Sequence, residues 1–210
     1  MDKLLFTEYS PALASPLYMV GLSGPSGLGR VAAQMLISRA KARLFAQLYN
    51  HHFPDHVIIT EDGTCRLLRY EFYESSTSSP HLLVACGDDG ITLENPEGGY
   101  DVLDELVELG KNYGASRLIA VDAVPDDGVT SIYIAATKTA LTRSLESRGA
   151  RLVRETHLHG PAGIILGISE FRLLSAVGVF PTLAPEDKIE ARAEETLKLI
   201  EESFSLSYPS

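Results

Sequence analysis

The glycine-rich stretch GPSGLGR at 24–30 has a composition that could hold a phosphate group. It lies between an apolar run and a helical pattern, and the backbone N–H groups at a helix N-terminus bind anions. Gly24 and Gly29 have the spacing of the phosphate-loop pattern, but Arg30 and Val31 replace its lysine and its Mg²⁺-binding hydroxyl residue. The stretch therefore either binds an anion or is a turn whose glycines let a helix pack close to a strand, and we favour packing.

Two other patterns of catalytic or cofactor-binding sites also fail at this stretch. The dinucleotide-binding pattern G-x-G-x-x-G needs a third glycine where Ala32 stands. The nucleophile-elbow pattern G-x-S-x-G fails at Ser23, because Pro25 replaces the second glycine, and at Ser26, because Leu28 replaces it. We therefore expect no catalytic residues and no cofactor, and an enzyme is the less favoured interpretation.

The elements that would position this stretch predict an α/β fold. Apolar strand candidates at 15–24, 81–87, 116–124 and 131–137 alternate with helical patterns. Continuous apolar strands of this kind are typical of parallel sheets that are buried on both faces. We expect a three-layer, phosphorylase- or hydrolase-like architecture, with a mostly parallel central sheet between helices. It would form one domain of residues 1–210, with its core at about 15–206.

In such a sheet, ligands bind at the carboxyl ends of the strands. The candidate ligand- or anion-binding residues expected at that edge are Gly24, Ser26, Gly27, Gly29, Arg30, Asp88 and Asp122. The same edge would gather Asp89, Thr137, Lys138, His157 and His159. Asp88 and Asp89 also have the composition of an ordinary turn. The two histidines could share a strand face, but a third ligand at metal-site spacing is missing, so we predict no metal.

The remaining patterns predict helices and one hairpin. An Asp62-Gly63 turn within 56–75 predicts the hairpin. The last helix would bury Ile189, Ala193, Leu197, Ile200 and Phe204, while its acidic outer face is either solvated or contacts a basic partner. The other helices are expected at 27–50, 101–114 and 138–149, and at 169–177 after a glycine-rich link at 160–167.

Composition excludes several classes of partner. The chain has 210 residues and a net charge of −10, which argues against binding nucleic acid or an anionic membrane surface. Apolar runs stay far below the roughly 20 residues of a membrane-spanning helix, and the three apolar residues near the N-terminus are too few for a signal peptide. Cys65 and Cys86 are expected to be buried free thiols, which suits a reducing cytoplasm.

Several segments, in their order along the chain, resemble the proteasome assembly chaperone family. They are the strand-turn-helix MVGLSGPSGLGRVAAQML, the strand LLVACGDD, Tyr100 with DVLDELVELGKNYGASRLIAV, the apolar segment GPAGIILGISEFRLLSAVGV and the closing APEDKIEARAEETLKLI. Two features differ from the family pattern: the end SLSYPS does not match the hydrophobic–Tyr–any tail of some archaeal members, and the late strand is expected to be reduced to VFPTLA.

The resemblance implies a phosphorylase-like fold, a role in handling proteasome subunits, and self-association without an active site. We expect a homo-oligomer, because the apolar segment at 160–180 would leave apolar surface exposed on a single chain. The candidate interface residues are Phe171, Leu174, Val179 and Phe180. The alternative is that these residues fill the core of the single chain. A second functional hypothesis is a protein that binds a phosphate- or nucleoside-like molecule at Gly24–Arg30.

Overall fold

A computed structural model describes residues 3–22, 24, 26–88, 96–125, 128–154, 157–158 and 160–209. The strands are Lys3–Thr7 (β1), Leu17–Gly21 (β2), Arg43–Asn50 (β3), Val57–Ile59 (β4), Cys65–Leu67 (β5), Tyr70–Ser75 (β6), Leu82–Gly87 (β7), Arg117–Val121 (β8), Val124–Pro125 (β9), Ile132–Ala136 (β10), Arg151–Leu152 (β11) and Ala176–Leu183 (β12). The helices are Leu28–Arg39 (α1), Pro96–Asn112 (α2), Arg143–Glu146 (α3), Pro161–Phe171 (α4) and Ile189–Phe204 (α5).

Within the described residues, a ten-stranded mixed sheet runs in the order β1-β3-β6-β7-β2-β8-β12-β10-β11, and β9 pairs with β12. Its central strands β7, β2, β8 and β12 are parallel to one another. The antiparallel pairings lie on the two sides of this centre. The predicted α/β fold with a mostly parallel central sheet is therefore confirmed.

Two layers of helices cover the sheet, as predicted. Alternate side chains of a strand point to opposite faces, and β2 is buried on both. Tyr18 and Val20 belong to the core beneath α2 and α4. Leu17 and Met19 belong to the core beneath α1 and α5. Each core therefore takes every second residue of the same central strand.

The predicted helix over 27–50 is wrong beyond Arg39. Lys41 has a left-handed φ of 47°, and the Ala42 N–H donates to the Ile37 carbonyl at 3.0 Å, which closes α1. The chain then enters β3, which pairs with β1 and β6. The helical spacing of apolar residues does not extend past this turn.

The expectations for 160–183 are also wrong. The glycine-rich link at 160–167 lies in α4, which begins with Pro161 at a first-turn position where proline is favoured. The expected helix over 169–177 ends at Phe171, and the segment 176–183 is the strand β12. This strand has eight residues and pairs with β8, β9 and β10, so the late strand is not reduced.

The predicted hairpin and last helix are confirmed, whereas the helix expected over 138–149 is only a short 3-10 turn at Thr139–Leu141 followed by α3. The hairpin β4–β5 has its turn at Asp62-Gly63, where Gly63 has a φ of 80°. The inner face of α5 buries Ala193, Leu197 and Ile200. On its other side, Glu201 pairs with Arg39 of α1 at 2.7 Å, and Glu194 contacts the same guanidinium. Part of the acidic surface of α5 therefore holds two helices together.

Candidate functional site

The ends of the central parallel strands bring the sequence candidates to one edge of the sheet. Asp88 follows β7, Gly24 lies three residues beyond β2, and Asp122 follows β8 directly. Thr137 and Lys138 lie at the opposite edge, because β10 is antiparallel to β12. Their side chains contact the start of β12, at Ala176 and Ser175. Placing these two residues with the ligand candidates was therefore wrong.

Gly29 packs α1 against the sheet. A Cβ atom at this position would lie 2.1 Å from the carbonyl oxygen of Val121 and 2.7 Å from that of Leu22. Such distances are too short for any side chain, so the backbone of the first turn lies directly on β2 and β8. The backbone carbonyls, rather than a ligand, occupy the space beside Gly29.

Gly27 and Ser26 form the turn into α1. Gly27 has a φ of 67° at the N-cap, a left-handed conformation that favours glycine, and its N–H donates to the Gly24 carbonyl at 2.9 Å. The Ser26 hydroxyl accepts a hydrogen bond from the Leu28 N–H at 3.2 Å. Two of the N–H groups that could have bound an anion are therefore already used within the loop.

Asp122 lies under this loop and is almost fully buried. A Cβ atom on Gly24 would lie 2.3 Å from the Oδ1 atom of Asp122, so the carboxyl group takes the space that glycine leaves. Oδ1 accepts a hydrogen bond from the Ala123 N–H at 2.9 Å. Burial raises the pKa of Asp122 to about 6, and the hydrogen bond from Ala123 only partly offsets this.

Asp88 is held by two arginines that the sequence analysis did not single out. The Arg66 guanidinium donates to both carboxylate oxygens at 2.5 and 2.7 Å, and the Arg69 backbone N–H donates to Oδ2 at 2.9 Å. Arg66 lies in the hairpin strand β5, so this pair attaches the hairpin to the end of β7. In β5 the side chains of Cys65 and Leu67 are exposed, and the side chain of Arg66 between them points to the opposite face. This alternation in the sequence could have suggested that the Arg66 guanidinium faces the protein.

Arg30 and Cys86 complete the polar groups near this edge. The Nε atom of Arg30 is buried and makes no hydrogen bond with any described residue. The thiol of Cys86 lies 3.9 Å from the Arg30 carbonyl oxygen, and burial raises its pKa to about 12, which keeps it protonated. Cys65 is exposed on the hairpin, contrary to the expectation that both thiols are buried.

Of the two candidate histidines, the structure describes only His157. His157 is exposed, and its predicted companions His159 and Asp89 lie outside the described residues. Across the described ranges, no group of three or more His, Cys, Asp or Glu residues is placed to hold a metal ion. The helices within those ranges are also too short or too polar to cross a membrane.

The candidate interface residues divide into exposed and buried ones. Phe171 is 83% exposed at the end of α4. Leu174, Val179 and Phe180 are buried in the cores of the single chain, so their assignment to an interface was wrong. The sequence analysis missed Leu173, which is 90% exposed. Position 173 follows the end of α4, where the chain turns before β12.

A groove of about 660 Å³ lies beside Phe171 on the outer side of α2 and α4. Its apolar lining consists of Tyr100, Leu158, Gly163, Ile164, Gly167 and Ile168. At its rim, Arg172 donates to Asp104 at 2.8 Å and lies 3.3 Å from Glu108. Exposed apolar side chains and an apolar groove therefore share one face of the molecule.

Sequence and structure comparisons place this fold among known proteins. PbaB of Pyrococcus furiosus, described as an archaeal proteasome activator, is 22% identical with a TM-score of 0.84, and the match covers 99% of this chain and 91% of PbaB. PbaA of the same organism, an archaeal homologue of proteasome-assembly chaperone, is 16% identical with a TM-score of 0.76, and the match covers 99% of this chain and 88% of PbaA. At these identities the likeness concerns the fold.

Sequence relatives agree with the structural comparison. An uncharacterised protein of Methanocaldococcus jannaschii is 32% identical over 104 residues, which is 50% of this chain and 39% of that protein. This chain therefore matches about two-fifths of the length of that relative. The sequence profile of the PAC2 family matches residues 19–210, and it confirms the resemblance found in the sequence. By this match, the chain belongs to the PAC2 family.

Proposed function

We propose that this chain is a non-catalytic, self-associating protein that binds other proteins, with proteasome subunits as its partner class. The observation that carries the proposal is that the described residues at the carboxyl edge of the parallel sheet fill the space there. Backbone carbonyls take the space beside Gly29, the Asp122 carboxyl group fills the space at Gly24, and Arg66 neutralises Asp88. Enzymes of this architecture hold their ligands at that edge, where this chain places its own groups.

The partner class rests on the fold likeness to a proteasome activator and to a proteasome-assembly chaperone homologue. We propose a cytoplasmic location, in which the free thiols of Cys65 and Cys86 stay reduced. Neither nucleic acid nor a membrane surface is a proposed partner, in keeping with the net charge of −10.

The proposal is tested with purified components. The chain is mixed at micromolar concentration with purified proteasome α subunits of the same organism, and then with assembled core particles, and co-elution is measured by size-exclusion chromatography. We expect co-elution with one of the two. Serum albumin, another acidic protein, replaces the chain as the control for binding driven by charge alone. Separate elution from both forms of the proteasome would contradict the partner class.

A second candidate function is the binding of a phosphate- or nucleoside-like molecule at Gly24–Arg30. The buried Arg30 Nε atom, which lacks a hydrogen-bond partner among the described residues, favours it. A ligand at 100 times its Kd stabilises a protein by about 2.7 kcal/mol. Thermal-shift measurements with phosphate, nucleosides and nucleotides therefore test this function directly, and unchanged melting temperatures throughout would rule against it.

A further inference from the structure

We infer that the outer face of α4 is the contact between two copies of this chain, an inference that rests on the proposed self-association and assigns its location. The face consists of Phe171 and Leu173 at the end of the helix and of the groove beside them, bordered by Tyr100 and Gly163. Nothing in the described chain covers Phe171 or Leu173, which are 83% and 90% exposed.

The exposed area fits an interface better than an ordinary surface. A large aromatic side chain can bury roughly 150–250 Å² of surface. With the exposed leucine Leu173 added, Phe171 and the 54% exposed Tyr100 present on the order of 400 Å² of accessible apolar surface. A stable dimer buries about 800 Å² on each partner, and these three side chains supply about half of that. The groove and its rim lie directly beside them and extend the surface.

Leu173 adds a second observation at the same place. Its φ of 61° lies in the left-handed region, which costs a non-glycine residue roughly 1–2 kcal/mol. The position just past a helix is usually glycine for this reason. A leucine here is both strained and almost fully exposed, so the single chain gains neither favourable backbone geometry nor burial from it. Burial against a partner would give this side chain a favourable role.

The spacing of residues along α4 lets the same face of two copies fit together. Gly163 borders the groove, Phe171 projects beside it, and Gly167 lies midway between them. In two antiparallel α4 helices that cross at Gly167, the residue four positions after the crossing faces the residue four positions before it. Phe171 of each copy then meets the groove wall of the other, where Leu158 packs over Gly163. The space around Gly167 is open, since a Cβ atom there would meet nothing within 4 Å.

The low charge of this face favours a second copy of the chain over a basic protein as its partner. Two copies each carry a net charge of −10, so they repel at short range least where the contact surface carries little net charge. The helix has no charged residue from Pro161 to Ser169, and at the groove rim Arg172 pairs with Asp104, while Asp101 adds one exposed carboxylate. A basic partner would instead be attracted to acidic surfaces such as the exposed side of α5 at Glu190. The apolar face of α4 therefore suits a partner that carries the same charge.

Solution mass provides the first test. Light scattering at concentrations of about 1–50 micromolar covers the dissociation constants of weak dimers. One chain has a mass of 22.8 kDa, and we expect the measured mass to be twice this value or a multiple of that. Phe171→Asp should weaken association at least about tenfold and shift the mass towards one chain. The matched control is Ile59→Asp, since Ile59 is also an exposed apolar residue at 64% but lies on the hairpin. Circular dichroism confirms that both variants fold.

A crosslink provides the second test and reports the geometry. In a Cys65→Ser background, Gly167→Cys places two thiols near the two-fold axis, where a disulfide needs Cα atoms about 5.5–6 Å apart. Mild oxidation should give a covalent dimer of this variant, while Ile59→Cys in the same background should give little.

Either of two results would overturn the inference: a monomeric wild type over the whole concentration range, or an unchanged oligomer in Phe171→Asp together with no crosslink at Gly167→Cys. The second result leaves the proposed partner binding standing, because co-elution with proteasome subunits measures that function separately.

Discussion

Asp88 and Arg66 form a two-pronged ion pair, with N–O distances of 2.5 and 2.7 Å, across the gap between the end of β7 and the hairpin strand β5. The hairpin β4–β5 forms its own two-stranded sheet. Two-stranded hairpins are marginally stable alone. Its order on the molecule therefore depends on contacts such as this pair, which also removes Asp88 from the set of residues open to a ligand.

The first prediction concerns this ion pair. Arg66→Ala should detach the hairpin and destabilise the chain by about 1–2 kcal/mol, because the Asp88 carboxylate loses its charged partner. Hydrogen–deuterium exchange should increase in residues 57–67 while the central strands keep their protection. Lys111→Ala, an exposed change at the end of α2, is the control. Unchanged exchange in the hairpin would show that other contacts hold it.

The second prediction distinguishes packing from phosphate binding at the glycine-rich turn. Gly29→Val should reduce the free energy of unfolding by about 3 kcal/mol or prevent folding, because the new side chain would collide with the Val121 and Leu22 carbonyls. Gln34→Val adds the same side chain on the exposed face of α1 and should change stability far less. The measurement is a urea titration with phosphate binding followed in parallel. If Gly29→Val melts like the wild type but loses phosphate binding, the loop is an anion site.

The third prediction follows from the buried Asp122. Its pKa is raised to about 6 in the folded chain, against 3.8 for the unperturbed group. Between these values the folded state holds a proton that the unfolded state has released, so stability falls as pH rises through about 4 to 6 and stays lower above 6. The size of the loss is on the order of 2–3 kcal/mol.

Asp122→Asn removes this titration and checks it. The variant should be more stable than the wild type above pH 6, and the difference should shrink towards pH 4. Glu61→Gln, at an exposed position of the hairpin turn, controls for the general loss of a negative charge. Chemical unfolding at several pH values measures both, and parallel pH profiles for wild type and Asp122→Asn would contradict the prediction.

The fourth prediction separates the core from the surface near β12. Phe180 is 1% exposed, so Phe180→Ala should cost about 3–5 kcal/mol of stability, and Phe180→Asp should not fold. The exposed Ile59 serves as the control, and Ile59→Ala should change stability by less than about 0.5 kcal/mol. A folded, monomeric Phe180→Asp would instead return this residue to an interface.

The central strands and α2 could be predicted because their apolar patterns are unambiguous. A strand buried on both faces, such as LLVACG in β7, is apolar throughout, and α2 shows a regular apolar face. The segment 160–183 could not be divided in this way. It is apolar almost without interruption, so periodicity does not separate α4 from β12. The turn at Leu173, which separates them, has none of the usual glycine or asparagine.

The candidate site was predictable in its position and not in its contacts. Chain order alone brings Gly24, Asp88 and Asp122 to one edge once the sheet is parallel. That Asp122 fills the space at Gly24, and that Arg66 reaches Asp88 from a hairpin, depends on distances that no sequence pattern encodes. The placement of Lys138 failed because the antiparallel direction of β10 is set by its tertiary pairing with β12.

The pairing of β2 has a consequence for synthesis of the chain. Leu17 pairs with Leu82 on one side and with Arg117 on the other, so this apolar strand leaves the ribosome long before either neighbour exists. The antiparallel strands β3 and β6 can meet much sooner. Non-local pairing is slow and leaves apolar strands open to aggregation meanwhile. During translation, this fully buried strand is therefore vulnerable to aggregation until residue 121 has emerged.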